Sequence, residues 1–281
     1  MVSGFKVFAK HRGGTVAIGL MLTWAAAYSV RGQTSTAQTA PEIGRPGKDV
    51  MWVPSPDPLV DKMLEIAQVS AVDIVMDLGS GDGRTVIAAA QIGARAIGVE
   101  YDPALVELSR INATQADVAS LATFVTADLF EVDLSPATVV TMFLLPELNS
   151  KLRPRLLGLA PGTRIVSNTW DLEDWEADET AVLDPCPGFC TALLWIVPAR
   201  VEGIWDLPNG SLTLLQRFQT VTGILREGST SVKIRAGRLR GEQISFRVGD
   251  VYYRGVVAGD VIEGLVETGA RSFNWRATRA R

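Results

Sequence analysis

Three glycines and two carboxylates share one short stretch, Asp77-Leu78-Gly79-Ser80-Gly81-Asp82-Gly83. Glycines so spaced permit a tight turn and a close approach of backbone to a ligand. The apolar run Asp73-Ile74-Val75-Met76-Asp77-Leu78 reads as a buried parallel strand, and Gly83 to Ile92 reads as a helix stopped by Gly93. The loop thus joins a strand to a helix. A dinucleotide fingerprint would want its third glycine at position 84, where Arg84 stands. A phosphate would also face Asp77 and Asp82, so the loop suits an uncharged or cationic ligand end.

Two more carboxylates follow at strand ends. Glu100 closes the second strand, Ala96 to Glu100, from where it can accept hydrogen bonds from both ribose hydroxyls. Asp128 follows the third strand, Ala122 to Ala127, within reach of an adenine amino group. Any one of them alone is equally a cap for the next helix. Three at consecutive strand ends beside a glycine loop point to a nucleoside site.

The elements that position these residues alternate. Asp57 as N-cap and Pro58 as first helical residue open a helix whose buried face is Val60, Met63, Leu64 and Ala67. Asp102-Pro103 caps and opens another helix, running to about Val118. Strands at Thr138 to Leu145 and Thr163 to Ser167 flank a helix from Pro146 to Leu159, which Pro154 should break or kink. The expected fold is α/β, a doubly wound, mostly parallel sheet whose ligand lies at the carboxyl ends of its strands.

At these residues the chain resembles the class I S-adenosylmethionine-dependent methyltransferases, in VMDLGSGDG, GVEYDP and VTADLF. The resemblance implies that Asp77, Gly79, Ser80, Gly81 and Gly83 hold the methionine part of S-adenosylmethionine. It puts Glu100 at the ribose and Asp128 with Leu129 at the adenine; Asp82 and Tyr101 join this cofactor set. The wider pattern VPSPDPLVDKML, DLGSGDGR, DLFEVDLS and VVTMFLLPELNSKLRPRL is similar to the protein lysine methyltransferases of the family with sequence similarity 173, and to bacterial proteins of that type with an export signal. The implied acceptor is a protein lysine amine. A small-molecule methyltransferase, or a non-catalytic cell-envelope binding protein on the same fold, are the alternatives.

Transfer from a sulfonium is an in-line displacement, so the protein chiefly aligns donor and acceptor. A lysine of pKa near 10.4 must lose a proton, which costs about 4.6 kcal/mol at pH 7. Glu147, just past the fourth strand in Leu144-Leu145-Pro146-Glu147, is the candidate to orient or deprotonate the acceptor; a first-turn helix carboxylate is its plain structural reading. Pro54, Ser55, Leu145 and Pro146 are the acceptor-side candidates, although Val53 to Pro56 reads equally as a lid or a linker.

Charge is distributed unevenly. Residues 1 to 40 carry +4, residues 41 to 196 carry -13 and residues 197 to 281 carry +5, within a net -4. An acidic middle repels a phosphate backbone, so nucleic acid is not an expected partner. The acidic run Asp171, Glu173, Asp174, Glu176, Asp178 and Glu179 with Trp170 and Trp175 either attracts a basic protein surface or is a solvated loop. One histidine and two cysteines exclude a multi-histidine zinc site. Cys186 and Cys190, across a Pro-Gly turn in a chain that reads as exported, are candidates for a local disulfide.

Lys6, Lys10 and Arg12 precede an uncharged run from Gly13 to Val30, the layout of an export signal or an uncleaved membrane anchor. The expected organisation is a signal or anchor over 1–40, a proline-rich linker over 41–57, a methyltransferase domain over 58–197 and a β domain over 198–281. In the last, eight short alternating runs from Val201 to Thr278, with hairpin turns at Asn209-Gly210 and Gly249-Asp250, read as a small antiparallel barrel or sandwich with Trp205 and Trp275 in its core.

Overall fold

A computed structural model describes residues 53–186 and 188–280; the signal or anchor over 1–40 and most of the 41–57 linker lie outside them. The first helix, α1 (Asp57–Ile66), buries Leu59, Val60, Met63 and Leu64. Its N-cap is Pro56 rather than the expected Asp57, because Pro56 keeps an extended backbone while Asp57 is already helical. Freed from capping, the Asp57 carboxylate meets Arg84 Nη1 at 3.2 Å.

The alternation then runs β1 (Ile74–Leu78), α2 (Arg84–Gln91), β2 (Arg95–Glu100), α3 (Pro103–Gln115), β3 (Ala122–Thr126), β4 (Val139–Met142), α4 (Pro146–Leu156) and β5 (Arg164–Asn168). Asp102 caps α3 as expected, accepting a hydrogen bond from the Ala104 amide at 3.0 Å. Pro154 does not break α4 at its own position. It sits two residues before the helix ends, where one missing amide bond is tolerated, and its neighbours Arg153 and Arg155 lie in the last turn.

Two strands complete the sheet, β6 (Glu179–Val182) and β7 (Thr191–Ile196), in the order β3-β2-β1-β4-β5-β7-β6. The first five are parallel, and β7 runs antiparallel to both β5 and β6. Because β1 lies between β2 and β4, the chain reverses its direction of travel there and opens a crevice at the carboxyl ends of β1 and β4. The sheet is covered on both faces. Val75, Ala96, Val139 and Val166 pack against α1, α2 and α3, whereas Met76, Val99, Val140, Ile165 and Trp195 pack on the other side with Leu152 and Leu156 of α4. β6 leaves no clear signal in the sequence, because the acidic run leads straight into it and none of its residues is fully buried.

The C-terminal strands β8 (Gly203–Leu207), β9 (Gly210–Arg217), β10 (Thr220–Glu227), β11 (Thr230–Arg240), β12 (Gln243–Val248), β13 (Val251–Ala258), β14 (Val261–Thr268) and β15 (Arg271–Arg279) each pair with the next. β15 closes the circle on β8 through Thr278 to Asp206 and Arg279 to Trp205, so the expected barrel-or-sandwich is a closed barrel. Its interior is filled by Trp205, Leu212, Leu214, Leu239, Phe246, Ile262 and Trp275. The first hairpin turns at Pro208-Asn209, not at Asn209-Gly210, since Gly210 already pairs with Leu207. A Cβ at Gly210 would lie 1.8 Å from the Arg226 carbonyl oxygen, which is why the strand starts on a glycine.

The acidic run is neither free surface nor solvated loop alone. Asp174 pairs with Arg153 and with Arg217 of the barrel at 3.0 Å; Asp178, its side chain buried, pairs with Arg238 at 2.7 Å. Between them Trp175 is fully buried, stacks on Phe218 of a barrel turn, and is followed by Glu176, whose carbonyl accepts from Gln219 Nε2 at 2.7 Å. Two of the six carboxylates, Asp174 and Asp178, thus meet arginines of the protein's own barrel. The barrel also meets the amino-end edge of the sheet, where Ala199 N–H donates to Gly241 O, and so lies away from the crevice.

Candidate active site

The loop after β1 is held from three sides. Gly79 and Ser80 donate their amides to the Val99 carbonyl at 2.8 and 3.1 Å, Gly83 donates to Ser80 O at 2.8 Å, and Gly81 donates to Glu100 Oε2 at 3.0 Å. Four loop amides are therefore engaged within the protein, which leaves no nest of free donors for a pyrophosphate. Gly83 has φ +82°, and a Cβ there would come 2.7 Å from Phe124, so loop and helix approach only because the residue is glycine. From α3, Ser109 Oγ donates to Gly81 O at 2.9 Å and Asn112 Nδ2 to Asp82 O at 2.9 Å. Neither belongs to a motif read above; the available signal is two polar residues, spaced by three, on the stripe of α3 that carries Leu105 and Ala113.

The carboxylates converge as their spacing suggests. Asp77, buried, accepts from Thr141 Oγ1 of β4 at 2.6 Å. Burial, reinforced by the nearby charges of Glu100 and Asp82 and opposed by the Thr141 and Thr85 hydroxyls, pushes its pKa up to about 7. Glu100 bridges two elements: Oε2 takes the Gly81 amide and Oε1 the Asp102 amide at 2.9 Å. Asp82 is gripped by Arg84, Nε to Oδ1 at 3.0 Å and Nη2 to Oδ2 at 2.7 Å. Tyr101 is 70% exposed at the rim. Asp128, also exposed, accepts from the Phe130 amide at 2.8 Å, and Arg155 of α4 fixes Leu129 and Phe130 by donating to their carbonyls. The Ser80 hydroxyl is buried without a hydrogen-bond partner among the described residues, tucked against Gly98 where a Cβ would meet it at 2.6 Å.

Across the crevice, β4 ends at Met142 and hands over to Phe143, Leu144 and Leu145. Leu144 is buried against Gly79, 2.9 Å from where that residue's Cβ would stand, while Leu145 is the exposed N-cap of α4. Pro146 and Glu147 form the first turn; both are exposed, and the Glu147 carboxylate makes no hydrogen bond among the described residues. The Pro54-Ser55 segment is sewn down: Ser55 Oγ accepts from Asn168 Nδ2 at 2.9 Å at the end of β5, and Ser55 O accepts from Arg84 Nη1 at 2.8 Å. The segment is thus a fixed wall beside the crevice and no slack linker. Cys186 and Cys190 are joined by a disulfide on the same end of the sheet, between β6 and β7.

A ligand with a cationic end suits this donor set. Asp77, Asp82 and Glu100 crowd one side of the loop, and a neighbouring positive charge would favour the ionised Asp77 that burial now disfavours. S-adenosylmethionine carries a sulfonium, an ammonium, a carboxylate, ribose hydroxyls and an adenine, and the residues offer acceptors that fit all of these but the carboxylate.

The family model of the ANTKMT methyltransferase domain matches residues 77–179. A protein-lysine N-methyltransferase of Saccharolobus islandicus is 41% identical over 151 residues, which is 53% of this chain and 94% of that protein. The chain belongs to this protein-lysine methyltransferase family. Its family likeness extends to the adenine nucleotide translocase lysine N-methyltransferase of Mus musculus, 39% identical over 154 residues, 51% of this chain and 65% of that one. Among solved structures, an RNA methyltransferase from Salinibacter ruber in complex with S-adenosyl-L-homocysteine aligns with a TM-score of 0.51 and 49% identity, over 53% of this chain and 97% of the other. The chain is an S-adenosylmethionine-dependent methyltransferase of class I architecture. The family model ends before β7, so the barrel lies outside it.

Proposed function

We propose that this methyltransferase modifies lysine amines of a protein substrate. The observation that carries the reading is the charge of the crevice rim: Asp128, Glu131, Glu147 and Asp171 are exposed on loops and helix starts at the carboxyl end of the sheet. Such a rim attracts a cationic segment and repels a phosphate backbone. The names of the relatives from Saccharolobus islandicus and Mus musculus support the same acceptor.

S-adenosylmethionine, when bound, supplies an activated methyl group on sulfur. Glu100 would accept the ribose hydroxyls while keeping the Gly81 and Asp102 amides in place. Asp77, with Gly79, Ser80, Gly81, Asp82 and Gly83, would surround the methionine end, and Asp128, Leu129 and Tyr101 the adenosine end. Leu145, Pro146, Pro54 and Ser55 would exclude water and confine the acceptor to the top of β4. Glu147, its carboxylate unencumbered at that position, would orient the ammonium and pass its proton on to solvent, while the ~4.6 kcal/mol deprotonation cost at pH 7 remains part of the barrier.

An RNA acceptor is the second reading, prompted by the name of the Salinibacter ruber neighbour. Incubating the full chain with labelled S-adenosylmethionine and with separated protein and RNA fractions, then hydrolysing the product, separates the two. Label recovered as methyl-lysine supports the proposal; label confined to nucleosides refutes it. We also propose that residues 1–40 export or anchor the chain, on the strength of three cationic residues before an uncharged run. Among the described residues no helix is long and apolar enough to cross a membrane, so the test is whether the full chain, and not one lacking residues 1–40, sediments with membranes or leaves the cytoplasm.

A further inference from the structure

One aromatic residue comes to the carboxyl end of the sheet from a part of the chain outside the cofactor loops. Phe189, on the connection between β6 and β7, packs edge-on against Phe143, the first residue past β4, with ring centroids 5.2 Å apart and planes at 61°. Phe143 stands at the carboxyl end of β4, the strand beside the switch point. Phe189 nevertheless stays 44% exposed, so the pair keeps an apolar edge open at the carboxyl end of the sheet instead of vanishing into the core.

The backbone holding Phe189 is constrained. Its φ is +53°, a left-handed value that is strained for a bulky residue and persists only where neighbours over-determine it. The neighbours that do so are identifiable. The Cys186–Cys190 disulfide closes the connection, Cys190 is buried, and its carbonyl accepts the Leu183 amide at 3.0 Å. Thr169 at the end of β5 donates to Thr191 O at 2.7 Å, fastening the base of the connection to the sheet.

A lysine side chain is four methylenes ending in a cation, so its path to the methyl donor needs an apolar wall leading to a polar end. From the position of this pair we infer that Phe189, with Phe143, forms the wall along which the methylenes of the acceptor lie, and that the disulfide sets acceptor selectivity by holding Phe189 in place. The inference rests on the lysine methyltransferase reading above. An aromatic face in contact with several methylenes contributes binding through the apolar surface it removes from water, and leaves the cofactor residues Asp77 and Glu100 untouched.

Two ligands test it by calorimetry on the full chain: S-adenosylhomocysteine, and an adenosylhomocysteine analogue whose sulfur-side extension is a butylammonium chain that mimics lysine. The wild type binds the extended ligand about tenfold or more tightly than S-adenosylhomocysteine. In Phe189→Ala that advantage falls to about threefold or less while the affinity for S-adenosylhomocysteine stays within twofold, which also shows that the variant is folded. The Cys186→Ser, Cys190→Ser double variant loses part of the advantage in the same way. An extension that adds nothing in the wild type, or adds equally in Phe189→Ala, overturns the inference alone. Failure of the wild type to bind S-adenosylhomocysteine would instead bring down the cofactor site, and the inference with it.

Discussion

The sheet half and the barrel half bury different chemistry. Among the described residues, buried polar side chains in the sheet half include Ser55, Asp77, Ser80, Ser109, Thr141, Asn149, Ser167 and Asn168, and most of these gather at the carboxyl ends of the strands. In the barrel there is one, Gln219, and it donates across the seam to Glu176 O. Buried polar groups cost stability unless bonded, and Asp77 is held at a pKa of about 7. A protein carries that cost where it does chemistry, so the contrast puts catalysis in the sheet half, while the interior of the barrel is packed and apolar.

The largest expected effect breaks the loop itself. Glu100→Ala leaves the Gly81 and Asp102 amides without their acceptor and removes the ribose partner, so affinity for S-adenosylmethionine falls by about 100-fold or more, read by calorimetry. If affinity survived, the crevice would not be the cofactor site. Glu147→Gln should lower kcat by about 100-fold while cofactor affinity stays within twofold, since the residue touches nothing that shapes the loop.

On the seam, Asp178→Ala removes the acceptor of both Arg238 and the Ile196 amide, which lies 2.9 Å from Oδ2. We expect about 2 kcal/mol of lost stability in thermal unfolding and no change in cofactor affinity. A change in affinity would mean that the barrel speaks to the crevice after all. A further effect concerns pH. Asp77 titrates near 7 when folded and near 3.8 when unfolded, so the folded state binds the extra proton between these values. Stability of the cofactor-free protein therefore declines as pH rises from about 4 to 7, and Asp77→Asn flattens that decline. A cationic ligand favours the ionised form, so affinity should rise several-fold from pH 6 to 8 in the wild type.

Local pattern explains what is legible in the sequence. A strand, a glycine turn and a helix with Asp77, Glu100 and Asp128 at strand ends are all short-range signals, and so are the eight runs of the barrel between glycine turns. The grip of Ser109 and Asn112 on the loop, of Asn168 on Ser55, and of Phe189 on Phe143 joins residues distant in sequence, and no periodicity announces it. The acidic run shows the same limit. Its six carboxylates are plain in the sequence, but that Arg217 and Arg238 meet two of them depends on how the barrel docks.

Hydrogen exchange on the full chain, with and without S-adenosylmethionine, tests the division of labour most directly. We predict protection confined to residues 77–83, 98–102, 126–130 and 143–147, with the barrel strands from Gly203 to Arg279 unchanged. Protection concentrated in the barrel, or spread evenly over both halves, would contradict the account.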